Sequence, residues 1–403
     1  MSKPEARSET DWPVVTVAMC CAIIGAAHVG KLAPALPDLR QNLQLDLVTG
    51  GWVASVFAVV GLALGVASGL IGDRFGAGRT IACGLVICAL GGLVGAFAAN
   101  DWVLLVSRVV EGLGFVLIVV QGTKLVAGAA RGASRRFVFG VWGGHMPISA
   151  TLTILGAPFL IEAVGWRGLW LAVAFSCLAC LVPVFRVLDL SAPAPRTPGG
   201  TPFMAGLGAV LSIPGVWLAA LCFAAYTLQW ISMMIWLPTY LVETHGMTIT
   251  RAAALTAGMV AINVPGNLLG GWLLRRGWPH GRVIFLAALV MGGTGAGIFA
   301  ADVPPAAAYG LCLVFSFGGG MLPATVLACG ALFVPETARM GAANGLIVQG
   351  AHLGQLVGPP AFAAAVAYGG GWDAALWPLA AGAGTAMVLA VFLGFQERRT
   401  TTD

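Results

Sequence analysis

Charge is what this sequence has least of. Only 9% of its 403 residues are Asp, Glu, Lys or Arg, whereas a soluble domain carries about 25%. Hydrophobic residues make up 59% of the chain. This composition excludes a soluble globular protein and indicates a chain that lies mostly in a membrane.

The sequence also lacks the motifs of enzymes. It has no phosphate-binding loop of the G-x-x-x-x-G-K-S/T type, no nucleophile elbow, and no metal-ligand cluster with workable spacing. The nine cysteines lie almost entirely in apolar stretches, and the one CxxC pair, Cys177 and Cys180, has no flanking ligands. We therefore expect no enzymatic activity, no cofactor and no metal site.

Long apolar runs fill most of the chain. Runs of about 20 apolar residues predict membrane-spanning helices, and twelve such spans are present: 13–37, 50–71, 80–99, 102–127, 137–161, 168–188, 214–241, 252–274, 282–300, 305–334, 341–366 and 373–396. The sequence therefore predicts an all-α, polytopic membrane protein.

The basic residues predict the orientation of these spans. With both termini in the cytoplasm, fifteen of the 21 Lys and Arg residues face the inside, while only Arg40, Arg167 and Arg251 face the outside. The net charge of +5 therefore reports topology and not nucleic-acid binding. The start of the chain lacks the pattern of a cleaved signal peptide, so we expect a multi-pass protein of the inner (plasma) membrane.

A polar segment divides the chain into two halves. Residues 189–203 read DLSAPAPRTPGGTPF, a composition typical of a flexible linker. We predict a monomer with a cytoplasmic tail (1–12), an N-terminal six-helix bundle (13–188), a cytoplasmic linker (189–213), a C-terminal six-helix bundle (214–396) and a second tail (397–403). A site between two such bundles would lie near the bilayer midplane.

Three motifs resemble those of the major facilitator superfamily. GLIGDRFGAGR at 69–79 resembles its loop signature, SRVVEGLG has Arg108 and Glu111 at the spacing R-x-x-(Q/E)-G-x-G, and GWRGLW enters the sixth span. The resemblance covers the whole chain and implies the two-bundle fold and transport by alternating access. Within the superfamily, HMPISATLTILGAPFL followed by GWRGLW is most similar to the bacterial cyanate-porter type, which includes relatives of nitroimidazole transporters.

The resemblance gives the first loop a conformational role. Its motif residues are Gly69, Gly72, Asp73, Arg74, Gly76 and Arg79. By similarity, Asp73 pairs with a neighbouring helix terminus or with an arginine after the fourth span, and so holds one conformation of the two bundles. The alternative is a plain positive-inside cluster, which would need no Asp.

Ionisable residues inside the spans indicate a functional site, because their burial must be compensated. Seven are present, and only one of them is acidic: His28, Lys31, Arg108, Glu111, Lys124, His145 and His352. Relatives that export cationic drugs carry an acid seven residues before an Ala-Leu-Pro motif, and here His28 stands at that position. A cavity with this balance favours anions or neutral polar molecules over cations.

Two pairs of these residues have the i,i+3 spacing of one helix face. His28 and Lys31 form the first pair and are predicted substrate contacts, although Lys31 lies near the outer boundary, where snorkelling to the headgroups is the alternative. Arg108 and Glu111 form the second pair, which the resemblance associates with coupling. A purely structural ion pair is the alternative. Lys124 is most simply a snorkelling residue.

Polar side chains on other spans complete the predicted substrate site. They are His145, Gln229, Asn263, Asn267, Gln349, His352 and Gln355. Interhelical hydrogen bonding is the alternative role for the two asparagines. Met233 and Met234 could be read as ligands of a copper ion. Thioether sites usually need several spaced ligands, however, so a role in core packing is favoured for both residues.

These observations favour proton-coupled uptake of a small organic or inorganic anion or polar metabolite. His28, His145 and His352 are candidate proton carriers, because imidazole changes charge near neutral pH. The main alternative is a proton-driven exporter of a drug or metabolite. Exporters of the superfamily carry paired glycines in the fifth span, and ILGAPFLIEA keeps only Gly156 and Pro158 of that pattern. A copper importer is a distant third.

Overall fold

The computed structural model describes residues 9–132, 134–190, 208–299, 303–334 and 337–402. These residues are almost entirely helical, and no strand occurs among them. Ten helical stretches in this part of the chain are long and apolar enough to cross a membrane. The all-α class predicted from the sequence is confirmed.

The N-terminal half contains eight helices, several of which meet end to end. They are α1 (Trp12–Gly30), α2 (Leu32–Leu43), α3 (Leu47–Ser55), α4 (Phe57–Phe75), α5 (Ala77–Ala96), α6 (Asp101–Ala129), α7 (Ser134–Gly143) and α8 (His145–Val187). The first predicted span is thus divided at Lys31, between α1 and α2. The second predicted span is divided at Val56, between α3 and α4.

From residue 214 onward, the described part of the C-terminal half contains seven further α-helices and one 3₁₀ turn. They are α9 (Pro214–His245), α10 (Ile249–Ala261), α11 (Asn263–Arg275), α12 (His280–Ile298), α13 (Pro305–Phe333), α14 (Thr337–Tyr368), the 3₁₀ turn (Trp372–Ala375) and α15 (Leu376–Thr402). Helices α10 and α11 meet at Ile262, directly before the NVPGN segment.

Helix α8 makes two membrane crossings. Its 43 residues would measure about 65 Å if straight, about twice the hydrocarbon thickness of a bilayer. Gly165 interrupts it with φ 70° and ψ 174°, a conformation that favours glycine. The two segments correspond to the fifth and sixth predicted spans, and with α14 the described helices supply the twelve crossings.

Side chains cap the N-termini of several of these helices by accepting hydrogen bonds from backbone N–H groups of the first turn. Asp11 accepts from the backbone N–H of Val14, and Asn100 accepts from Val103 at 3.0 Å. Asp46 accepts from Thr49 at 2.6 Å. Such caps satisfy backbone donors that have no partner within the helix.

Most of the loop arginines lie at one end of the molecule, which we call the basic end. The turns of this end carry Arg74, Arg79, Arg131, Arg135, Arg186, Arg275, Arg276 and Arg282. The two halves of the chain contact each other through α2, α3, α4 and α8 on one side and α9, α10 and α14 on the other. At the end opposite the basic end, Arg40 of α2 binds Glu243 of α9 at 2.8 Å.

Candidate functional site

One carboxylate binds three basic side chains inside the N-terminal bundle. Glu111 Oε1 lies 2.7 Å from Lys31 Nζ and 2.9 Å from His28 Nδ1, and Glu111 Oε2 accepts a hydrogen bond from Arg108 Nη1. The exposed fraction of all four side chains is 0%. We call His28, Lys31, Arg108 and Glu111 the ionic cluster.

Three helices position the ionic cluster. Arg108 donates from Nη1 to the carbonyl of His28 at 2.7 Å, and from Nε to the carbonyl of Val53 at 3.2 Å, which ties α6 to α1 and α3. Next to Glu111, Gly112 lets α6 approach the backbone of α4, since a Cβ at Gly112 would overlap the carbonyl oxygen of Phe57. Close helix approach at glycine is a common form of packing in membranes.

The second segment of α8 closes the ionic cluster from another side. Lys31 Nζ lies 4.2 Å from the ring centroid of Trp170, a cation–π contact. His28 Nε2 lies 3.4 Å from the Sγ of Cys177. Sequence reasoning missed both partners as site residues, although Trp170 belongs to the GWRGLW motif.

The charges of the ionic cluster are not balanced. Lys31 and Arg108 are both basic and Glu111 is the one acid of the ionic cluster, so basic groups outnumber acidic ones. All four are fully buried, and burial of an unbalanced charge costs free energy. The snorkelling alternative for Lys31 is wrong, because its ammonium group is bound to Glu111 and does not reach the membrane surface.

The C-terminal bundle holds a neutral network of buried polar groups. Asn263 Nδ2 donates to Tyr226 Oη at 3.1 Å and to the carbonyl of Ser316 at 3.0 Å. Trp230 Nε1 donates to Ser316 Oγ at 3.0 Å, and Gln229 Nε2 donates to the carbonyl of Ala225 at 2.9 Å. Asn263 thus makes the interhelical hydrogen bonds that were its alternative role. A part in substrate binding for Gln229 and Asn263 stays a prediction.

Two of the predicted contacts on α14 lie where the bundles meet. Gln349 Nε2 donates to the carbonyl of Leu62 at 3.1 Å. A Cβ added to Gly61 would lie between 2.5 and 2.7 Å from ring atoms of His352, so the imidazole packs directly on the backbone of α4. Gln355, three residues further along α14, is half-buried. We call Gly61, Leu62, Gln349 and His352 the bundle seam.

The remaining predicted contacts lie apart from the ionic cluster. His145, at the start of α8, is half-buried, and its Nδ1 lies 2.7 Å from the carbonyl of Trp142. Asn267 on α11 is half-buried as well. Met233 and Met234 are buried in the core, and no group of three His, Cys, Asp or Glu residues in the described part of the chain has a metal-binding arrangement.

Only part of the loop motif can be placed. Arg74 and Arg79 are exposed at the basic end, and Gly76 precedes α5 with φ 88°. Gly69, Gly72 and Asp73 lie on α4 in a stretch whose side-chain contacts are outside the described part of the structure, so the pairing of Asp73 stays a prediction. Lys124 is exposed near the same end.

Long apolar helices in two halves, with buried polar networks in both halves of the described chain, define a polytopic helical membrane protein. The family model of the Major Facilitator Superfamily matches residues 15–359. The chain belongs to this superfamily, which consists of transporters and not of enzymes.

Curated relatives span several substrate classes. The chain is 26% identical to the gallate transporter of Pseudomonas putida over 88% of this chain and 90% of that protein. It is 28% identical to the probable nitrate/nitrite transporter NarK2 of Mycobacterium tuberculosis, over 68% of each chain. Its match to the methylenomycin A resistance protein of Bacillus subtilis, at 24% identity, covers 56% of this chain and 46% of that protein.

A solved structure shows the same fold along the whole chain. The bacterial homolog to the human lysosomal transporter Spinster, in an inward-facing and unoccupied conformation, superposes with a TM-score of 0.79. The alignment covers 100% of this chain and 99% of that chain, at 16% sequence identity. The comparison confirms the two-bundle fold expected from the sequence.

Proposed function

We propose that this protein is a secondary transporter that takes up a small organic or inorganic anion together with protons. The ionic cluster carries the proposal, since it places three basic groups and one acid in a sealed interior. Two of the relatives are named as transporters of gallate and of nitrate or nitrite, which are anions. These names support an anionic substrate class.

The ionic cluster gives a physical route to proton coupling. Glu111 is the anion that compensates Lys31 and Arg108 in a sealed core, so a change of charge on one of the basic groups around it would alter the attraction and repulsion within the ionic cluster. Gain or loss of a proton at His28 would alter the same balance. Arg108 also binds the backbone carbonyls of His28 and Val53. A change of charge in the ionic cluster would therefore act directly on how α1 and α3 pack against α6.

Alternating access would expose a substrate site between the bundles to one side at a time. The contacts at the bundle seam and between Arg40 and Glu243 support a state that is closed at the end opposite the basic end. The positive-inside distribution supports a cytoplasmic location for the basic end and for both termini. His145, Asn267, Gln349, His352 and Gln355 are proposed to contact the substrate, and the loop motif is proposed to hold one of the two states.

The resemblance to the cyanate-porter type supports a small anion as substrate. A ligand that binds only the folded protein raises its apparent thermal stability. Purified protein should therefore be screened with gallate, nitrate and cyanate, and any stabilising anion then tested as substrate in proteoliposomes. We expect uptake that rises with an imposed inward proton gradient and falls with an uncoupler. Uptake that is unaffected by both would contradict proton coupling.

Export is the second candidate function, and one relative favours it specifically. The methylenomycin A resistance protein is named for resistance to a toxic compound, which export can provide. An exporter predicts that deletion raises the cellular content of a toxic compound, whereas an importer predicts lost uptake. Thermal stabilisation by cationic drugs, with none by the three anions, would support export.

A further inference from the structure

We propose that a groove at the basic end of the C-terminal bundle binds one anionic phospholipid. The groove has a volume of about 590 Å³ and lies between the first turns of α9 and the last turns of α15. It is far from the ionic cluster and independent of the proposed transport activity. Its lining residues are Leu211, Ser212, Pro214, Trp217, Leu218, Leu221, Phe392, Phe395, Gln396 and Arg399.

The walls of the groove are apolar and open to the surroundings. Trp217 is 42% exposed, Phe392 55%, Phe395 54% and Leu221 39%. On a membrane-spanning helix such side chains face lipid. Phe392 and Arg399 are seven residues apart, which is about 10 Å along a helix. The walls are therefore deep enough to hold the first methylenes of an acyl chain.

The charge of the groove favours a negative headgroup. Arg399 is the only cation among the described residues that line it, and none of those lining residues is acidic. Ser212 and Gln396 add polar groups that can bind phosphate oxygens.

Trp217 fixes the shape of the groove. Its Nε1 donates to the carbonyl of Leu211 at 3.0 Å, so the indole is held against the segment that precedes α9. Tryptophan is enriched at headgroup depth, and cationic pockets on the cytoplasmic side of membrane proteins bind anionic headgroups. The apolar walls would hold the acyl chains, while Arg399 would bind the phosphate.

Native mass spectrometry of the purified full chain tests this proposal. The protein would be titrated with phosphatidylglycerol and with phosphatidylcholine of the same acyl chains. We expect the first phosphatidylglycerol to bind more tightly than phosphatidylcholine, and Arg399→Gln to reduce that preference about fivefold, as expected for one cation near an anionic headgroup. Arg399→Lys should keep most of the preference.

Arg398→Gln is the matched control, because Arg398 carries the same charge at the next position but does not line the groove. It should leave the preference for phosphatidylglycerol nearly unchanged. Equal loss in both variants would overturn the proposal, since the effect would then come from overall charge. Equal binding of the two lipids by the unmodified protein would also overturn it. Thermal unfolding in detergent checks that each variant is folded.

Discussion

At the scale of single residues, Glu111 is the side chain on which the charges of the ionic cluster depend. Within the part of the chain that the structure describes, it is the one acidic partner of three fully buried basic side chains. Removal of one partner from a buried ion pair costs about 3 to 5 kcal/mol, because the other partner remains buried and uncompensated. The effect of a substitution in the ionic cluster therefore depends on the sign of the charge that is removed.

We predict that Glu111→Gln destabilises the protein far more than Lys31→Met. The first substitution leaves two cations without a counter-ion, and its cost should reach the range given above. The second leaves Arg108 paired with Glu111 and removes one basic group. Apparent melting temperatures of the purified variants in one detergent measure the difference, and a Lys31→Met variant as unstable as Glu111→Gln would contradict the account.

The sequence predicted part of the ionic cluster. Arg108 and Glu111 share one helix, and the i,i+3 spacing alone indicates that they can pair. That His28 and Lys31 bind the same carboxylate depends on which faces of α1 and α6 meet, and spacing within one helix carries no such information. The contacts of Trp170 and Cys177 were missed for the same reason.

At the scale of helices, α3 depends on Asp46, the residue that caps its N-terminus. The hydrogen bonds from Thr49 lower the pKa of the Asp46 carboxyl below its usual range. A carboxyl whose pKa is lowered by folding stabilises the folded state above its ordinary pKa, and this contribution is lost as the pH falls through the lowered value. Asp46 therefore caps α3 fully at neutral pH.

We predict that Asp46→Ala costs about 1 kcal/mol of stability, the usual value of an N-cap, while Asp46→Asn costs less. Thermal unfolding at pH 7 should rank the unmodified protein first, Asp46→Asn second and Asp46→Ala third. A rank order in which the asparagine variant is the least stable would show that the charge and not the cap matters.

The bundle seam depends on a glycine that the sequence did not single out. Gly61→Ala would push a Cβ into the ring of His352, and overpacking of this kind costs about 1 to 3 kcal/mol. We predict faster hydrogen exchange in the peptides of α3, α4 and α14, because the seam loosens. Gly65→Ala is the control, since a Cβ there meets no atom within 4 Å. Equal exchange in both variants would contradict this role for Gly61.

At the scale of the whole molecule, the two bundles differ in chemistry while they share a fold. The N-terminal bundle encloses the ionic cluster, and the C-terminal bundle encloses the neutral network around Asn263 and Ser316. Hydropathy predicted an all-α membrane protein, which depends on composition, and three short motifs predicted the family. Hydropathy could not predict that several polar residues proposed for the substrate have partners within their own bundle.

This division of chemistry is the basis of our proposal that proton coupling takes place in the N-terminal bundle. The most direct test compares two modes of transport in proteoliposomes, with the anion that stabilises the purified protein as substrate. For Lys31→Met we predict that exchange of external for internal anion persists, while accumulation driven by an imposed proton gradient is lost. Accumulation by this variant at the rate of the unmodified protein would contradict a coupling role for the ionic cluster.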